Sequence, residues 1–315
     1  MSVVVVGAGM SGVACARRLA DAGVAVRVVD RGRRAGGRMA ARTLRDLPEG
    51  EHPVDLGAPY CTVSDDGFRA VVDAWLAAGV AREWTDTFCT AGPDGLGEAK
   101  QGPLRFAGTG GMRGLVEQLA AGIEVTGQEA VDADGFERLA AESAAVVLAM
   151  PGPQAARLLT ARPALARIVD QRFEPAIAVM ARFERRTWPE FDAAFVSDLP
   201  IRWLADDGRS RGDGAPVLVA HTTGGFAAPR LDDPASAIAP AVDAMRTVLG
   251  LADEPVNTFA QRWTFAQPAE PRDATFHLSD DGIGLCGDGW SAKSRVEAAW
   301  RSGTDLAEAL IARLA

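Results

Sequence analysis

The fold is decided by residues 3–12, VVVVGAGMSG, together with the segment that follows them as far as Asp30. The four valines are an apolar, β-branched run, which is typical of a central strand in a parallel sheet. The glycine turn after them leads into an alanine-rich sequence, for which we predict a helix to about Ala22. A second strand is expected over 24–29 and stops at the acid. This order of strand, GxGxxG, helix, strand and acid predicts a dinucleotide-binding unit.

Each glycine of this turn has a physical role in such a unit. Gly7 permits the tight turn, Gly9 lets the backbone approach a pyrophosphate, and Gly12 lets the helix pack against the strand. The amides at the helix start face the anion, and the helix dipole favours it. A tight turn without a ligand is the alternative. The candidate ligands here are Gly7, Ala8, Gly9, Met10, Ser11 and Gly12, with Asp30 accepting a ribose hydroxyl.

A second glycine pair follows the acid, within RGRRAGGRMAARTL at residues 31–44. The minimal NAD-binding pattern of strand, GxGxxG, helix, strand and acid does not include these two glycines. They suit a backbone that passes close to a longer cofactor. Arg38 could neutralise the phosphates of that cofactor. A basic, solvated surface loop is the other interpretation. The candidate ligands in this segment are Arg31, Gly36, Gly37, Arg38 and Met39.

Composition excludes several classes of protein. The 315 residues carry a net charge of −9, which argues against a protein that binds nucleic acid through phosphate contacts. No apolar run approaches the roughly 20 residues that span a bilayer, and the N-terminus lacks a basic leader. The four cysteines and three histidines are scattered, so we expect neither disulfides nor a metal site. We therefore expect a cytoplasmic protein.

A second turn of similar character stands near the end of the chain, in GLCGDGWSAKSRVEAAWRSG at residues 284–303. It is expected to close a buried strand at Gly287 and Asp288 and to open a helix near Arg295. A helix N-cap without any ligand is the bland alternative.

Several segments resemble FAD-dependent flavoproteins of the amine-oxidase type, and the renalase-like branch of that superfamily fits best. The similar segments are GAGMSG (7–12), VVDRGRRAGGRM (28–39), VDLGAPY (54–60), RFAGTGGMRGLVEQLA (105–120), AAVVLAMPGPQAARLL (144–159), RWTFAQP (262–268) and the C-terminal stretch just described.

The resemblance implies an α/β fold, with a Rossmann-type FAD-binding domain of the glutathione-reductase-like, amine-oxidase type. An inserted α+β substrate domain would be built on a mixed sheet. We expect the FAD-binding domain over 1–63, 105–160 and 276–315, and the substrate domain over 64–104 and 161–275. FAD would lie extended, with its AMP half on the first turn and its flavin end at the last strand–helix junction. The further cofactor ligands that this implies are Gly57, Ala58, Ala149, Met150, Pro151, Gly287, Asp288, Arg295, Val296 and Ala299.

The chain also departs from the family. Only about two dozen residues, 123–145, replace a long hairpin that normally supplies a valine to the adenine, so Ala130, Val131 or neither could take that place. The segment that carries a flavin-linked cysteine in monoamine oxidases is missing, and Cys286 is expected in the core. FAD is therefore expected to bind noncovalently.

The middle of the chain is expected to form the substrate domain. Strands are predicted over 177–183 and 215–223, and an amphipathic helix over 233–250. The charged tract 206–214, DDGRSRGDG, is predicted to be a solvated loop.

Candidate substrate contacts are Tyr60, Trp263 and Trp290. An aromatic residue on a strand such as 262–268 is more often core than pocket wall. No set of side chains for acid–base or nucleophilic catalysis can be assembled, so the catalytic residues stay unknown. Such a site suits hydride transfer to a flavin, because the cofactor then supplies the chemistry.

The leading hypothesis is an oxidase that passes a hydride from its substrate to flavin N5, with dioxygen as acceptor. The resemblance implies isomeric dihydro-NAD(P) as substrate, and amines as the second choice. Lys100 and Lys293 are the only lysines that could serve like the lysine of larger amine oxidases, and both are expected at the surface. A flavin isomerase and a non-catalytic FAD-binding protein are the alternatives from other classes. The oligomeric state is not predicted.

Overall fold

In the computed structural model, residues 2–45, 51–270 and 272–315 are described. Their strands are β1 (Val3–Val6), β2 (Val26–Val29), β3 (Ala41–Leu44), β4 (His52–Asp55), β5 (Cys61–Thr62), β6 (Ala81–Gly92), β7 (Gly95–Gly108), β8 (Glu124–Thr126), β9 (Ala145–Ala149), β10 (Phe173–Arg182), β11 (Ala193–Val196), β12 (Ile201–Asp206), β13 (Val217–Thr222), β14 (Asn257–Pro268), β15 (His277–Leu278) and β16 (Ile283–Cys286).

The α-helices are α1 (Met10–Asp21), α2 (Asp66–Ala77), α3 (Met112–Leu119), α4 (Ala133–Glu142), α5 (Gly152–Ala156), α6 (Pro163–Ile168), α7 (Asp207–Arg211), α8 (Gly224–Ala227), α9 (Ile238–Leu249) and α10 (Val296–Leu314). Short 3-10 helices cover Gly37–Met39, Ala228–Arg230 and Pro234–Ala237. None of the helices in the described ranges is both long and apolar enough to cross a membrane.

The smaller main sheet has six strands in the order β15-β16-β9-β1-β2-β8. All of its pairings are parallel except that of β15 with β16. Val3 and Val5 pack with α1 on one face of the sheet, while Val4 and Val6 pack with α4, α5 and α6 on the other. Because both faces are covered, β1 must be apolar at every position, as its sequence predicted.

The second strand starts two residues later than predicted, at Val26 instead of Val24. The Val24 amide donates to the Leu19 carbonyl at 3.0 Å, so it closes the end of α1 and does not pair in the sheet. Apolar composition alone could not separate these two uses of a valine.

The larger sheet has eight strands in the order β14-β10-β13-β12-β11-β6-β7-β5. Its pairings are antiparallel except that of β11 with β6, so the sheet is mixed, as predicted. Helix α9 packs Val242 and Met245 on one face, against Ile177 and Val179 of β10. The other face, with Met180 and its neighbours, packs on Val54 and Leu56 beside the smaller sheet. The predicted helix over 233–250 is divided in the structure: Pro234–Ala237 form a 3-10 helix, and α9 begins at Ile238.

The division between the two sheets differs from the expected domain boundaries. Strand β5 and the end of β7 belong to the larger sheet, although 61–62 and 105–108 were assigned to the FAD-binding domain. Helix α2 was assigned to the substrate domain, but Phe68, Val72 and Trp75 pack in the core of the smaller sheet. The two units therefore exchange elements where β5, α2 and β7 cross between them.

The charged tract 206–214 is largely buried, so the prediction of a solvated loop was wrong. Asp206 caps α7 through the Arg209 amide at 3.0 Å and accepts the Trp188 indole N–H at 2.7 Å. The Arg211 side chain is fully buried between Asp207 and Asp213, and its Nε lies 2.9 Å from Asp213 Oδ2. Pairing of opposite charges allows this burial, and the pairs form only when the tract folds.

Close backbone contact joins the first and last helices. A Cβ atom added to Gly303 of α10 would lie 2.0 Å from the Ser11 carbonyl oxygen of α1. A Cβ on Gly12 would lie 1.9 Å from the Gly7 carbonyl oxygen, and Gly7 itself has φ of +116°. The helix start is thus packed directly on its own turn and on α10, as the role of Gly12 predicted.

We expect Gly303→Ala to destabilise the protein and Gly114→Ala, also within a helix, to stabilise it. Alanine at 303 must push apart two backbones and should cost about 1–3 kcal/mol or more, as overpacked cores do. Position 114 has no atom within 4 Å of an added Cβ, so alanine there should add about 0.5–1 kcal/mol through helix propensity. Urea denaturation of the two variants measures this. Equal and small effects of both substitutions would contradict the close packing.

Candidate functional site

The Asp30 carboxylate holds the first glycine turn together. One of its oxygens accepts the Ala8 amide at 2.6 Å and the other accepts the Gly32 amide at 2.6 Å. The acid thus fixes both the turn and the start of the next loop. Its remaining lone pairs face a large cavity, where a ribose hydroxyl can donate to them.

The second glycine pair lies directly on the first turn. The Gly36 amide donates to the Ala8 carbonyl at 2.8 Å, and a Cβ on Gly37 would lie 3.0 Å from the Gly9 Cα. Gly36 and Gly37 have φ of +137° and +53°, values that favour glycine. The two segments that were predicted separately therefore form one glycine-rich floor.

The junction near the end of the chain closes on this floor. Arg38 pairs with Asp288 across 250 residues, and its Nη1 lies 3.0 Å from Asp288 Oδ2. Ser294 also donates to Asp288, whose side chain is buried. Arg38 was predicted to neutralise phosphates, and in the structure its guanidinium pairs with Asp288 and anchors the C-terminal junction.

Two helix starts at this cavity have no side-chain cap. Helix α1 follows Gly9, and α10 follows Arg295; neither residue caps the amides of its helix with a side chain. Free amides at a helix start are a site for negatively charged groups. Met10 and Ser11 of α1 and Val296 of α10 line the same cavity.

The cavity between the two sheets has a volume of about 2050 Å³. This exceeds the ~300–1,000 Å³ of an ordinary ligand pocket and leaves room for a cofactor and a second molecule. Most of the predicted site residues line it: Gly7, Gly9, Met10, Ser11, Asp30, Arg31, Gly36, Gly37, Arg38, Met39, Gly57, Ala58, Tyr60, Ala149, Met150, Pro151, Trp263, Gly287, Asp288, Arg295, Val296 and Ala299.

Three predicted residues do not line this cavity. Ala8 and Gly12 lie behind the first turn, where they serve its packing. Trp290 was predicted to contact the substrate, but it packs away from the cavity. Its ring stacks on His277 with centroids 6.4 Å apart, and the Arg272 guanidinium lies 4.5 Å from the centre of the Trp290 ring. The loop after Gly287 turns its side chain to the other face of the sheet.

The segment after β8 lies beside Asp30. The Glu129 amide donates to the Asp30 carbonyl at 2.9 Å, and Ala130 and Val131 both line the cavity next to it. Ala130 and Val131, which the sequence analysis left as alternatives for the adenine contact, thus both lie at the Asp30 end of the cavity.

Arg113 was missed by sequence reasoning. It lines the cavity beside Gly36, and its Nε is buried without a hydrogen-bond partner. Such an unpaired donor fits a cofactor phosphate. The signal was its position in the first turn of α3, directly after the glycine-rich segment 108–111.

The half of the cavity under the larger sheet holds most of the residues that sequence reasoning missed. Tyr60 lies 5.8 Å from the Trp203 ring and 5.4 Å from the Phe88 ring. Trp263 lines the wall and donates its indole N–H to the Leu56 carbonyl at 2.6 Å. The further polar side chains of this wall include Arg105, Arg202, His221 and Gln267.

His221 stands uncharged on this wall. Burial and the neighbouring Arg202 lower its pKa to about 4, so the ring is neutral at physiological pH. Tyr60 is neutral too, because burial raises the pKa of its hydroxyl against the opposing effect of Arg105. Neither side chain was accompanied by a recognisable motif in the sequence.

Glu297 supports the site from behind. It is buried in the first turn of α10 and accepts the Ser64 amide at 2.5 Å and the Asp65 amide at 2.8 Å. The chain segment after Tyr60 is thereby tied to the last helix. Acids are common in the first turn of a helix, so sequence reasoning could not assign this role to Glu297.

Asp55 is a buried acid just before the lining segment 56–62. Its Oδ1 accepts the Met112 amide at 2.8 Å, while its Oδ2 has no partner. Burial, with the charge of Asp207, raises the pKa of the Asp55 carboxyl to about 8. The folded protein therefore favours the protonated form of this group more than the unfolded chain does. Among the described residues, no cluster of His, Cys, Asp and Glu could hold a metal ion.

Comparison with known proteins agrees with this geometry. Residues 5–75 match the family described as NAD(P)-binding Rossmann-like domain, and residues 97–311 match the one described as flavin containing amine oxidoreductase. The second match covers more than half of the chain. The chain belongs to the flavin containing amine oxidoreductase family. It is an FAD-dependent oxidoreductase, and its glycine floor, uncapped helix starts and unpaired Arg113 fit that cofactor.

Solved structures of three similar proteins share the fold over 99% of both chains. They are putrescine oxidase bound to putrescine (TM-score 0.70, 16% identity), cyclohexylamine oxidase from Brevibacterium oxydans IH-35A (0.74, 15%) and a putative protoporphyrinogen oxidase from Exiguobacterium sp. 255-15 (0.72, 13%). At these identities the likeness concerns the fold alone.

Asp30→Ala should weaken FAD binding at least about tenfold, because two charge-assisted hydrogen bonds to the turn are lost. Titration of the apoprotein with FAD, followed by flavin fluorescence, measures the dissociation constant. Trp290→Phe is the matched control, since Trp290 lies outside the cavity, and it should leave this constant unchanged. An equal loss in both variants would contradict the placement of the two residues.

Asp55→Asn should change how stability depends on pH. The folded protein holds the Asp55 proton more tightly than the unfolded chain, so this group lowers the free energy of unfolding as pH rises from 3.8 to about 8. The wild-type free energy of unfolding minus that of the variant should fall by about 1–3 kcal/mol between about pH 5 and about pH 9. Chemical denaturation at several pH values measures this difference. A difference that stays constant would mean that Asp55 is ionised throughout.

Proposed function

We propose that the protein is a renalase-like oxidase that oxidises isomeric dihydro-NAD(P) to NAD(P)⁺ with dioxygen as acceptor. The observation that carries this proposal is the charge of the cavity wall under the larger sheet. Arg105 and Arg202 both line that wall, and their positive charge suits the phosphates and acceptor atoms of a dinucleotide.

The acids nearest these two arginines, Glu174 and Asp86, do not line the cavity. Among the described residues that the loops of the larger sheet bring to the cavity, Asp232 is the carboxylate, and it stands fully exposed beside Arg262 at 4.0 Å. Asp288 lies at the cofactor junction and is paired with Arg38. The positive charge of this wall would therefore repel a positively charged ammonium substrate.

The chain's residues position the substrate and exclude water. The aromatic side chains of Tyr60, Trp203 and Trp263 offer flat faces for a nicotinamide ring. His221, being neutral, can donate a hydrogen bond to a carboxamide oxygen or accept one from its nitrogen. FAD held by these residues would supply the redox chemistry, namely acceptance of a hydride from carbon 2 or 6 of the dihydropyridine ring and transfer of the two electrons, with one proton, to dioxygen as hydrogen peroxide.

No protein base is required in this reaction, because the hydride leaves a carbon atom and NAD(P)⁺ forms without loss of a proton. This agrees with a wall whose two neutral titratable groups, Tyr60 and His221, both have pKa values shifted away from neutral pH. Orientation of the ring against the flavin is then the main contribution of the protein.

Further parts of the proposal concern the cofactor and the compartment. Cys61 lines the cavity, but burial raises the pKa of its thiol to about 12, which supports noncovalent binding of FAD. Ala130 and Val131, beside Asp30, are proposed to contact the adenine. All four cysteines are free, which fits a reducing cytoplasm.

Amine oxidation is the second candidate, favoured by the ring cluster around Tyr60, since aromatic faces bind cationic amines. Two features weigh against it. The Arg105 guanidinium already lies 3.6 Å from the centre of the Phe88 ring in that cluster. Neither Lys100 nor Lys293 lines the cavity, so no lysine is placed to position a water near the flavin.

An anaerobic stopped-flow experiment tests the proposal. Purified FAD-loaded protein is mixed with 2- and 6-dihydro-NAD(P) and, separately, with putrescine and cyclohexylamine, and bleaching of the flavin is followed. We expect reduction by a dihydronicotinamide isomer to be at least about 100-fold faster, because like charges in a dry site cost several kcal/mol. Faster bleaching by an amine would reverse the two candidates.

A flavin that no compound reduces, in protein that binds FAD fully, would favour a non-catalytic role. A requirement for reduced flavin without formation of peroxide would favour an isomerase. Measurement of peroxide with the same samples in air separates these outcomes.

A further inference from the structure

Unpaired hydrogen-bonding atoms concentrate on one wall of the cavity. Within the part of the chain that the structure describes, seven buried side-chain atoms lack a partner. Five of them belong to four residues under the larger sheet: Nε and Nη1 of Arg105, Nε1 of Trp84, Nε1 of Trp203 and Nε2 of His221.

These four residues form one continuous surface. The Arg105 guanidinium lies 3.6 Å from the centre of the Phe88 ring, and that ring lies 4.9 Å from the Trp203 ring and 5.3 Å from the Trp84 ring. His221 is the direct neighbour of Trp203 across the pairing of β12 with β13. Arg105, Trp203 and His221 all line the cavity.

Arg105 is the charged centre of this surface, and it is only 7% exposed. It takes part in none of the ion pairs of the described residues. The carboxylate of Asp86, which feels its charge, is engaged with the Thr87 hydroxyl and the Gln101 amide at 2.7 Å each. A buried guanidinium without a counter-charge is expensive, so a partner from outside the chain is expected.

The chemistry of the unpaired atoms specifies that partner. Guanidinium and indole nitrogens can only donate hydrogen bonds, and the neutral ring of His221 can donate as well. A group with oxygen acceptors and a negative charge is complementary to the donors of Arg105, Trp203 and His221, which line the cavity, and a guanidinium binds two such oxygens at once. An ammonium group, which only donates and is positive, satisfies neither the guanidinium nor the indole nitrogens.

We propose that Arg105, Trp203 and His221 form an oxyanion subsite that binds a carboxylate or phosphate group of the substrate. The inference rests on the proposed function in that the occupant is the molecule the flavin oxidises. It goes further by making negative charge on that molecule a condition for tight binding.

Static binding of four benzene derivatives to the FAD-loaded protein tests the subsite. Benzoate and phenyl phosphate carry the anion, benzamide is a neutral analogue of similar shape, and benzylamine is a cation. Each is titrated while the visible absorbance of the flavin is recorded. We expect the better of the two anions to bind at least about tenfold more tightly than benzamide, with benzylamine weakest. The better anion identifies the source as a carboxylate or as a phosphate.

Variants assign the effect to the subsite. Arg105→Gln should weaken binding of the better anion at least about tenfold and leave benzamide unchanged. Arg105→Lys should restore part of the affinity, since charge is kept but the paired donors are lost. Arg246→Gln is the control, because Arg246 is paired with Glu254 on the outer helix α9. If Arg105→Gln does not load FAD, Trp203→Phe removes one donor without changing charge and should still weaken the anion about threefold or more.

Anion binding that is no tighter than benzamide binding, or that Arg105→Gln and Trp203→Phe leave unchanged, overturns the subsite. The titration needs no turnover, so its result is independent of which compound reduces the flavin. Tight anion binding without oxidation of dihydronicotinamides would refute the proposed substrate and keep the subsite. Oxidation of dihydronicotinamides without tight anion binding would refute the subsite and keep the proposed substrate.

Discussion

The structure depends on the close packing of the first helix against the last. A glycine at 303 lets the α10 backbone lie on the Ser11 carbonyl, and Gly12 lets α1 lie on its own turn. These contacts bring two segments that are almost 300 residues apart in sequence to one floor. The Arg38–Asp288 pair, which joins the two ends of the chain at the cofactor cavity, depends on that placement.

The cavity is charged in a way that its own residues do not neutralise completely. At the cofactor end, Arg113 has a buried nitrogen without a partner, and two helix starts lack side-chain caps. At the substrate end, Arg105 is in the same situation. Burying such groups lowers the stability of the empty protein, and the ligands recover that free energy when they bind. The unpaired donors therefore indicate more directly than any other feature which chemical groups the cavity binds.

The sequence could predict what is local. The spacing of Gly7, Gly9 and Gly12 before Asp30 carries its own geometry, because one turn, one helix and two neighbouring strands form the whole unit. The start of the last helix near Arg295 was predictable for the same reason, whereas its lack of a side-chain cap was not predicted. Features that need distant partners were not predictable. The tract 206–214 has a polar composition, and only the pairing of Arg211 with Asp207 and Asp213 makes it buried.

The substrate wall illustrates the same limit. Arg105, Arg202 and His221 come from β7, β12 and β13, and their common direction depends on strand order and register, which composition does not reveal. Trp290 misled for a related reason: it stands two residues after Asp288, yet the loop turns its ring to the opposite face. Nearness in sequence to a cofactor contact does not place a side chain in the site.

The fold shared with other proteins constrains which cofactor can bind, whereas the side chains of the cavity wall constrain which substrate can bind. Putrescine oxidase and cyclohexylamine oxidase share this fold over nearly the whole chain at identities of 16% and 15%. A common fold constrains the cofactor site strongly, because the two glycine turns that line it are backbone segments that the fold itself brings together. It constrains the substrate weakly, because the wall consists of side chains that can be exchanged without moving the strands. A guanidinium buried among Tyr60, Phe88 and Trp203 changes the charge of that wall while leaving the aromatic cluster in place. On this framework the guanidinium places a positive charge beside the aromatic faces, and the proposed anion subsite depends on that charge.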